Sequence, residues 1–223
     1  MAINLLVLDW SGVVSNDFPI LYKSVNNVLR KFHKPVVSVE ELRTDFRPHA
    51  RDFYADRGIL DYALVKKHHY DLFEKENPDI IPLAGDAVKE LSKLVTIAVF
   101  SSHPTHFLLG DISRYGLDDY IEYAFGGADK GKKEDFQGLL SVTGVLAEEI
   151  LYAGDTVIDV NLAKLIGVSS IGVVNPEYGY QLRAQVEKAK PTHGIVCQLK
   201  DVIPIVRKLT QHQALSCRNE SGA

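Results

Sequence analysis

The sequence predicts an α/β fold: a Rossmann-like, doubly wound parallel sheet with an inserted α-helical cap. From Pro82 onward, short apolar runs alternate with helical segments, which is typical of a parallel sheet covered by helices on both faces. A long segment of helical periodicity, 17–80, separates the first apolar run from the others. Polar residues directly follow three of the apolar runs, and open α/β sheets bind ligands at such strand ends.

The first predicted strand covers 3–8, and its apolar run is typical of a buried strand in a parallel sheet. Asp9 follows at once and opens the segment Asp9-Trp10-Ser11-Gly12-Val13, which places a carboxylate where a ligand would bind. The further strands are predicted near 95–100, 121–126, 150–153, 168–174 and 194–197, followed by a last helix over 199–210.

The order of predicted strands and helices divides the chain into three units. Residues 1–16 and 81–210 form the α/β core, 17–80 the helical cap, and 211–223 a tail expected to be disordered. Apolar residues make up 46% of the 223 residues, which is enough for a sizeable hydrophobic core.

The composition argues against several classes of function. A net charge of −4 gives no support to a nucleic-acid or anionic-membrane partner. The two cysteines, Cys197 and Cys217, are too few for a disulfide framework and fit a reducing compartment. No signal peptide or transmembrane run is predicted, so a cytoplasmic location is expected; no oligomeric state is predicted.

A second strand end carries hydroxyl groups. The run 96–100 ends at Ser101-Ser102-His103-Pro104, a pattern typical of a helix start. Hydroxyl and free N–H groups at such a start can bind an anion, or the hydroxyl can simply cap the helix.

A third strand end carries two acids. Gly154 and Asp155 follow the run 150–153, and Asp159 lies on the same helical face one turn later. Such oxygens suit Mg²⁺, although Asp155 could instead cap the helix. Between the second and third strand ends lies Lys130-Gly131-Lys132-Lys133, which by itself is typical of a solvated surface.

In this order, the segments resemble the haloacid dehalogenase superfamily. Its signature is an acidic strand end, a Ser or Thr strand end, a lysine before a helix, and a strand ending in Gly-Asp-x-x-x-Asp. The corresponding residues are Asp9, Ser101, Lys130, Asp155 and Asp159. Flanking stretches at 82–85 and 116–120 are similar too, so the likeness extends from Leu5 to about Leu209.

The lysine of the signature is placed by a spacing. In many members it precedes Pro-x-Pro-x-x-Phe, and counting back six residues from Phe136 selects Lys130. Lys132 and Lys133 lie close enough in the sequence to compete for the same role.

The resemblance implies a Mg²⁺-dependent hydrolase of a small phosphorylated metabolite. Asp9 would attack phosphorus and form an aspartyl-phosphate intermediate that water then hydrolyses. Mg²⁺ would be held by Asp9, the backbone carbonyl of Ser11 and Asp155, with Asp159 behind them as an orienting residue. The phosphoryl oxygens would be bound by Ser101, Ser102 and Lys130.

Ser11 departs from the family pattern. Phosphatases of this family carry a second aspartate at this position, which protonates the leaving oxygen and then activates water. Losing such a group typically costs about 10²–10⁴ in rate. The alternatives are a leaving group that needs little protonation, a proton relay through another residue, or low activity, with Ser11 filling space and ordering a water.

Other activities are weighed on the same residues. Dehalogenation is disfavoured because Asp155 and Asp159 are both retained. A carbon–phosphorus hydrolase of the phosphonoacetaldehyde type stays open, since its Asp-Trp-Ala-Gly is close to residues 9–12 and its imine-forming cap lysine could be Lys66 or Lys67. A binding protein on a retired core is favoured by Ser11 and opposed by the five retained signature residues.

The cap carries a basic cluster that would suit an anionic substrate, although its interleaved aspartates favour ordinary solvated helix faces. Its members are Arg43, Arg47, His49 and Arg51. Further along, Leu64, His68 and Leu72 recur at helical spacing, which predicts that His68 is a core histidine.

Overall fold

The computed structural model describes residues 3–45, 50–130 and 132–220, with side chains up to residue 211. The strands are β1 (Leu5–Leu8), β2 (Ser15–Asn16), β3 (Asp79–Ile80), β4 (Thr96–Phe100), β5 (Tyr123–Phe125), β6 (Ile150–Gly154), β7 (Ser169–Val173) and β8 (Ile195–Val196). The α-helices are α1 (Phe18–Lys31), α2 (Val39–Thr44), α3 (Ala50–Ala55), α4 (Tyr62–Phe73), α5 (Ala84–Leu91), α6 (Thr105–Arg114), α7 (Lys133–Thr143), α8 (Val157–Ile166), α9 (Arg183–Lys188) and α10 (Ile203–Glu220).

Six strands form one sheet in the order β5-β4-β1-β6-β7-β8, and every neighbouring pair is parallel. The predicted α/β fold with a parallel sheet is therefore confirmed. The order places β1 at the centre, with β4 and β6 on either side. Because parallel strands share one carboxyl edge, the residues that follow β1, β4 and β6 meet there.

The central strand is apolar throughout because both of its faces are covered. Leu6 and Leu8 belong to one hydrophobic cluster, whereas Leu5 and Val7 belong to another on the opposite face. All four side chains are fully buried. A strand packed between two helical layers gains burial energy on both faces, so its sequence shows an unbroken apolar run instead of alternation.

Helices α1 to α4 occupy the predicted cap segment and have their own hydrophobic cluster. The two chain segments that enter and leave the cap pair as antiparallel strands, with Ser15 opposite Ile80 and Asn16 opposite Asp79. The sequence does not predict a strand at 79–80, because two residues give no measurable periodicity. This pairing brings the start of α1 next to the carboxyl edge of β1.

The prediction of a core histidine at His68 is wrong by one residue. His68 is half-buried, and its Nε2 lies 2.6 Å from Lys31 Nζ. His69 is the packed residue, with hydrogen bonds to the hydroxyls of Ser24 (2.7 Å) and Tyr54 (2.8 Å). Burial lowers the pKa of His69 to about 4, so it is neutral near pH 7.

The last helix is longer than predicted. It opens with a 3₁₀ turn, Leu199–Val202, and continues as α10 through Glu220 instead of ending at 210. The helical backbone thus runs through much of the tail expected from 211 to be disordered, and 221–223 lie outside the described residues. Within the part of the chain that the structure describes, no helix is long and apolar enough to cross a membrane.

Candidate active site

Asp9 is buried at the carboxyl end of β1, with 3% of its surface exposed. Its N–H donates to the carbonyl of Ala153 (2.8 Å), and the N–H of Trp10 donates to its Oδ1 (2.6 Å). The Trp10 indole is fully buried, donates to Asp111 (3.2 Å) and stacks on Tyr115. Trp10 therefore anchors the turn that follows Asp9 in the core.

The Lys130 ammonium joins two carboxylates. Its Nζ lies 2.6 Å from Asp9 Oδ1 and 2.9 Å from Asp159 Oδ1, and the side chain is 10% exposed. Burial alone would lower the pKa of Lys130, but the two carboxylates raise it above its ordinary value. Lys132 and Lys133 are exposed, so the geometry singles out Lys130 among the three competitors.

Asp159 has both of its oxygens engaged. Oδ1 accepts from the Tyr152 hydroxyl (2.8 Å) and Lys130, and Oδ2 accepts from the N–H (3.0 Å) and hydroxyl (2.6 Å) of Thr156. The bond from the Thr156 N–H and the one that the Asp159 N–H donates to the Thr156 hydroxyl (3.4 Å) form a capping box at the start of α8. Although burial favours the neutral acid, Lys130 and these donors hold the pKa of Asp159 below its ordinary value.

Asp155 does not cap the helix, because Thr156 takes that position. Its Oδ2 accepts from the backbone N–H of Tyr180, whereas its buried Oδ1 has no hydrogen-bond partner among the described residues. Burial, followed by repulsion from Asp9 and Asp159, raises the pKa of Asp155 well above its ordinary value. An unpartnered buried carboxylate oxygen is costly unless something positive binds it.

Three carboxylates are close enough to bind one cation. Asp9, Asp155 and Asp159 each present an oxygen within 4.8 Å of the others. Burial raises the pKa of Asp9 to about 7, and the charge of Lys130 offsets this only in part. Hard oxygen ligands fit a hard divalent cation, and the unpartnered Oδ1 of Asp155 has free capacity to bind one.

Two glycines allow this close approach. A Cβ at Gly12, whose φ is +74°, would lie 2.3 Å from Asp155 Oδ2. A Cβ at Gly154 would lie 2.4 Å from Asp159 Cβ. Both positions therefore exclude every residue with a side chain unless the carboxylates move.

Ser101 lies at the end of β4, where its Oγ accepts the N–H of His103 (3.1 Å). Helix α6 begins only at Thr105, so the Ser101 hydroxyl closes a turn instead of capping the helix. Its proton is left to be donated to a ligand. Ser102 is exposed on the rim of the same pocket.

Ser11 is bonded to a buried acid, Asp17, that no sequence motif indicates as a site residue. Its Oγ donates to Asp17 Oδ2 (2.5 Å), and Asp17 Oδ1 accepts from the Tyr180 hydroxyl (2.8 Å). His103 Nε2 lies 3.6 Å from Asp17 Oδ2. Burial raises the pKa of Asp17, although His103 and these hydroxyls act in the opposite direction.

A cavity of about 890 Å³ lies between this edge of the sheet and the cap. Asp9, Ser11, Ser101, Lys130 and Asp155 line it from the core. Cap residues that line it include Arg51, Tyr62, Lys66, His69, Tyr70 and Phe73.

The described members of the basic cluster in the cap have different positions. Arg51 lines the cavity, whereas Arg43 donates to the carbonyls of Pro176 and Glu177 (2.7 Å each) and so ties the cap to the core. Arg47 and His49 lie outside the described residues.

Residues 6–173 match the family model of the haloacid dehalogenase-like hydrolases. The chain belongs to this family. The resemblance found in the sequence is thereby confirmed, as is the prediction of a hydrolase.

Curated relatives of the hydrolase include two phosphoglycolate phosphatases. The protein from Pseudomonas fluorescens is 24% identical over 90% of this chain and 78% of its own length. That from Pectobacterium atrosepticum is 27% identical over 122 residues, which are 53% of this chain and 50% of that protein. A haloacid dehalogenase-like hydrolase from Streptococcus pneumoniae has the same fold, with a TM-score of 0.79 at 13% identity over 91% of this chain and 98% of its own.

In this hydrolase, four of the five signature residues lie together in the structure. They are the carboxylates of Asp9, Asp155 and Asp159 and the ammonium of Lys130. The fifth, Ser101, lines the same cavity. Sequence reasoning missed Asp17 and Tyr180. Asp17 precedes Phe18 and Pro19, a pattern that indicates a helix cap, yet within the described structure its side chain makes no capping bond.

Proposed function

We propose that this hydrolase cleaves phosphoric monoesters, with Asp9 as the nucleophile. The observation that carries the proposal is the buried Asp9 carboxylate, held against Lys130 beside the unpartnered oxygen of Asp155 at the base of the cavity. The similarity to proteins named phosphoglycolate phosphatase supports the same reaction class.

In the proposed reaction, an Asp9 oxygen attacks phosphorus while the bond from phosphorus to the leaving oxygen breaks. Water then attacks the aspartyl-phosphate, which releases inorganic phosphate and regenerates Asp9. Lys130 neutralises the carboxylate and a phosphoryl oxygen together. Ser101 and the backbone N–H of Ser102 donate to the remaining oxygens, whose charge must be held in the transition state.

Mg²⁺ is the proposed cofactor. Asp9, Asp155 and the backbone carbonyl of Ser11 would hold it, and Asp159 would orient this group from behind. When bound, Mg²⁺ supplies the positive charge that lets a dianionic phosphoryl group approach a carboxylate. The free oxygen of Asp155 supports this assignment.

The proposed substrate is a small phosphorylated metabolite. 2-Phosphoglycolate is the first compound to test because the curated relatives carry its name. Arg51 and Lys66 line the cavity from the cap and offer positive charge to a second anionic group.

A carbon–phosphorus hydrolase is the competing proposal, and one observation favours it. Lys66 lines the cavity, where its amine could form an imine with a carbonyl substrate. Treatment with borohydride in the presence of phosphonoacetaldehyde would attach the substrate covalently in that case only. Absence of a covalent adduct would remove this alternative.

The proposed function is tested by steady-state hydrolysis with Mg²⁺, with and without chelator. The substrates are p-nitrophenyl phosphate, acetyl phosphate, 2-phosphoglycolate and a sugar phosphate, with Asp9→Asn as the blank. Lys130→Gln is compared with Lys132→Gln, which changes an exposed lysine two residues away.

We expect chelator-sensitive turnover that Asp9→Asn and Lys130→Gln abolish and Lys132→Gln preserves. Failure of every ester to react above the blank would contradict the proposal and favour a binding protein on a retired core. Equal losses in the two lysine variants would contradict the role given to Lys130.

A further inference from the structure

A phosphatase of this reaction class needs a general acid, and Ser11 cannot act as one. Its hydroxyl is nevertheless hydrogen-bonded to an acid, Asp17. Ser11 donates to Asp17, whose carboxylate is fully buried and also accepts from Tyr180. Although Asp17 stands where α1 begins, its side chain makes no capping bond in the described structure. A residue that gives up its expected local bond for a buried contact beside a cavity is expected at a functional site.

His103 is a titratable side chain that lies between this buried carboxylate and the cavity, as does Tyr180. Its Nε2 lies 3.6 Å from Asp17 Oδ2, its side chain is 12% exposed, and it lines the same cavity as Asp9. The rings of Phe73 and Phe107 pack against it at 5.0 Å and 6.0 Å. Among the described residues, the carboxylate paired with the imidazole is that of Asp17, and the rings of Phe73 and Phe107 beside it are apolar.

The backbone of His103 fixes its place relative to the phosphoryl site. Its N–H donates to Ser101 Oγ (3.1 Å), and its carbonyl accepts the N–H of Gly127 (2.5 Å). The imidazole is therefore carried by the same turn that presents Ser101. Histidine is the side chain that most often transfers protons in catalysis, and a buried carboxylate beside it holds its orientation.

We propose that His103 performs the proton transfers that Ser11 cannot, and that Asp17 is its positioning residue. As the bond from phosphorus to the leaving oxygen breaks, the imidazolium gives that oxygen a proton and becomes neutral. In the second step, the neutral imidazole takes a proton from the water that attacks phosphorus, while the bond from phosphorus to Asp9 breaks. One proton leaves and one returns, so His103 ends in its starting state. This assignment rests on the proposed phosphatase function.

The dependence of the rate on the leaving group tests the assignment. His103→Gln is compared with His106→Gln, which changes an exposed histidine on α6. The esters are p-nitrophenyl phosphate, whose leaving group needs no proton near neutral pH, and 2-phosphoglycolate or another alkyl phosphate that the unaltered protein hydrolyses.

We expect His103→Gln to lower kcat/KM for the alkyl phosphate by about 10²-fold or more and for p-nitrophenyl phosphate far less. With p-nitrophenyl phosphate it should also release about one nitrophenolate per protein in a rapid burst, because hydrolysis of the intermediate is then slow. His106→Gln should behave as the unaltered protein. A purely structural role would lower both rates alike and give no burst.

Asp17→Asn tests the positioning role. It should show the same leaving-group discrimination as His103→Gln, and the double variant should lose little more than either single one, because the two residues act as a unit. A thermal melt of each variant verifies that it is folded. Additive losses would overturn the link between Asp17 and His103.

The failure of this assignment is distinguishable from that of the proposed function. Chelator-sensitive turnover with unchanged leaving-group dependence in His103→Gln would overturn the role of His103 alone. Absence of chelator-sensitive turnover in the unaltered protein would overturn the proposed function and this assignment with it.

Discussion

Gly12 is the residue at which the sequence constrains the site most tightly. Its φ of +74° and the 2.3 Å separation of a built Cβ from Asp155 Oδ2 leave no room for a side chain. Any larger residue must displace the carboxylate whose second oxygen is unpartnered. The turn after β1 and the acid after β6 therefore depend on each other.

Gly12→Ala should lower hydrolysis by about 10²-fold or more, because a shift of this size misplaces the reacting groups. It should also destabilise the fold by about 1–3 kcal/mol through overpacking. Steady-state rates and urea unfolding measure the two effects. Gly138→Ala, inside α7 with no atom near the added Cβ, is the control and should leave both unchanged or slightly raise stability. Full activity in Gly12→Ala would contradict the tight contact between position 12 and Asp155.

At this scale the sequence predicts the residues that directly follow a central strand. Asp9, Ser101 and Asp155 are predictable because the carboxyl edge of a parallel sheet gathers them. Asp17 and Tyr180 are not, since they arrive from the entry to the cap and from the loop after β7. Their local patterns indicate a helix start and a turn, and only the tertiary structure joins them.

Among the elements, α2 and the loop after β7 are tied together by one side chain. The Arg43 guanidinium donates to the carbonyls of Pro176 and Glu177 and lies over the Phe18 ring at 4.6 Å. The same loop continues to Tyr180, whose N–H binds Asp155. The cap is thus fastened to the segment that orients an acid of the site.

Arg43→Lys should lower the free energy of unfolding by about 1–2 kcal/mol, because an ammonium cannot reproduce the forked pair of bonds. Urea unfolding measures the loss. Arg30→Lys, on the exposed end of α1, should change it by less than about 0.5 kcal/mol. Equal free energies of unfolding in the two variants would show that the hydrogen bonds of Arg43 do not stabilise the fold.

The positions of strands and helices are more predictable from the sequence than the side of each helix that is buried. All six strands of the sheet lie where apolar runs predict them. The buried face of α4 was assigned one residue away, to His68, because periodicity over twelve residues does not separate neighbouring positions. Val65 and His69 pack instead, since α1 and α3 present a hydroxyl each to the imidazole.

Over the whole molecule, two of the three buried carboxylates, Asp9 and Asp155, link stability to pH and to metal. Burial raises the pKa of Asp9 from 3.8 to about 7 and raises that of Asp155 as well. Between these values the folded state holds more protons than the unfolded chain. The contribution of Asp9 to stability is therefore fully present below about pH 4 and is lost as the pH rises through about 7.

Mg²⁺ should consequently raise the melting temperature more at pH 8 than at pH 5, since it binds the ionised carboxylates and competes with protons at pH 5. Differential scanning fluorimetry at one Mg²⁺ concentration measures both shifts. Asp155→Asn should abolish the difference. A shift that is equal at both pH values, or larger at pH 5, would contradict the linkage.

The order of strands and the enclosure of the cavity belong to this scale too, and the sequence predicts neither. Pairing of β1 with both β4 and β6 joins Leu5 to Thr96 and to Ile150, which are far apart in the sequence, and local patterns carry no signal for it. Helical periodicity over 17–80 predicts the inserted cap, but it carries no signal for how the cap lies over Asp9. The pairing of β2 with β3 sets the start of α1 beside the site, and it depends on how the cap segment folds back onto the core.

Trapping the covalent intermediate tests the central claim most directly. The protein is mixed with p-nitrophenyl phosphate and Mg²⁺, quenched in acid and digested, and the peptides are weighed by mass spectrometry. The account predicts one phosphoryl group on the peptide that contains Asp9, and none in Asp9→Asn. Phosphate release at an undiminished rate by Asp9→Asn, or a phosphoryl group on another peptide, would contradict it.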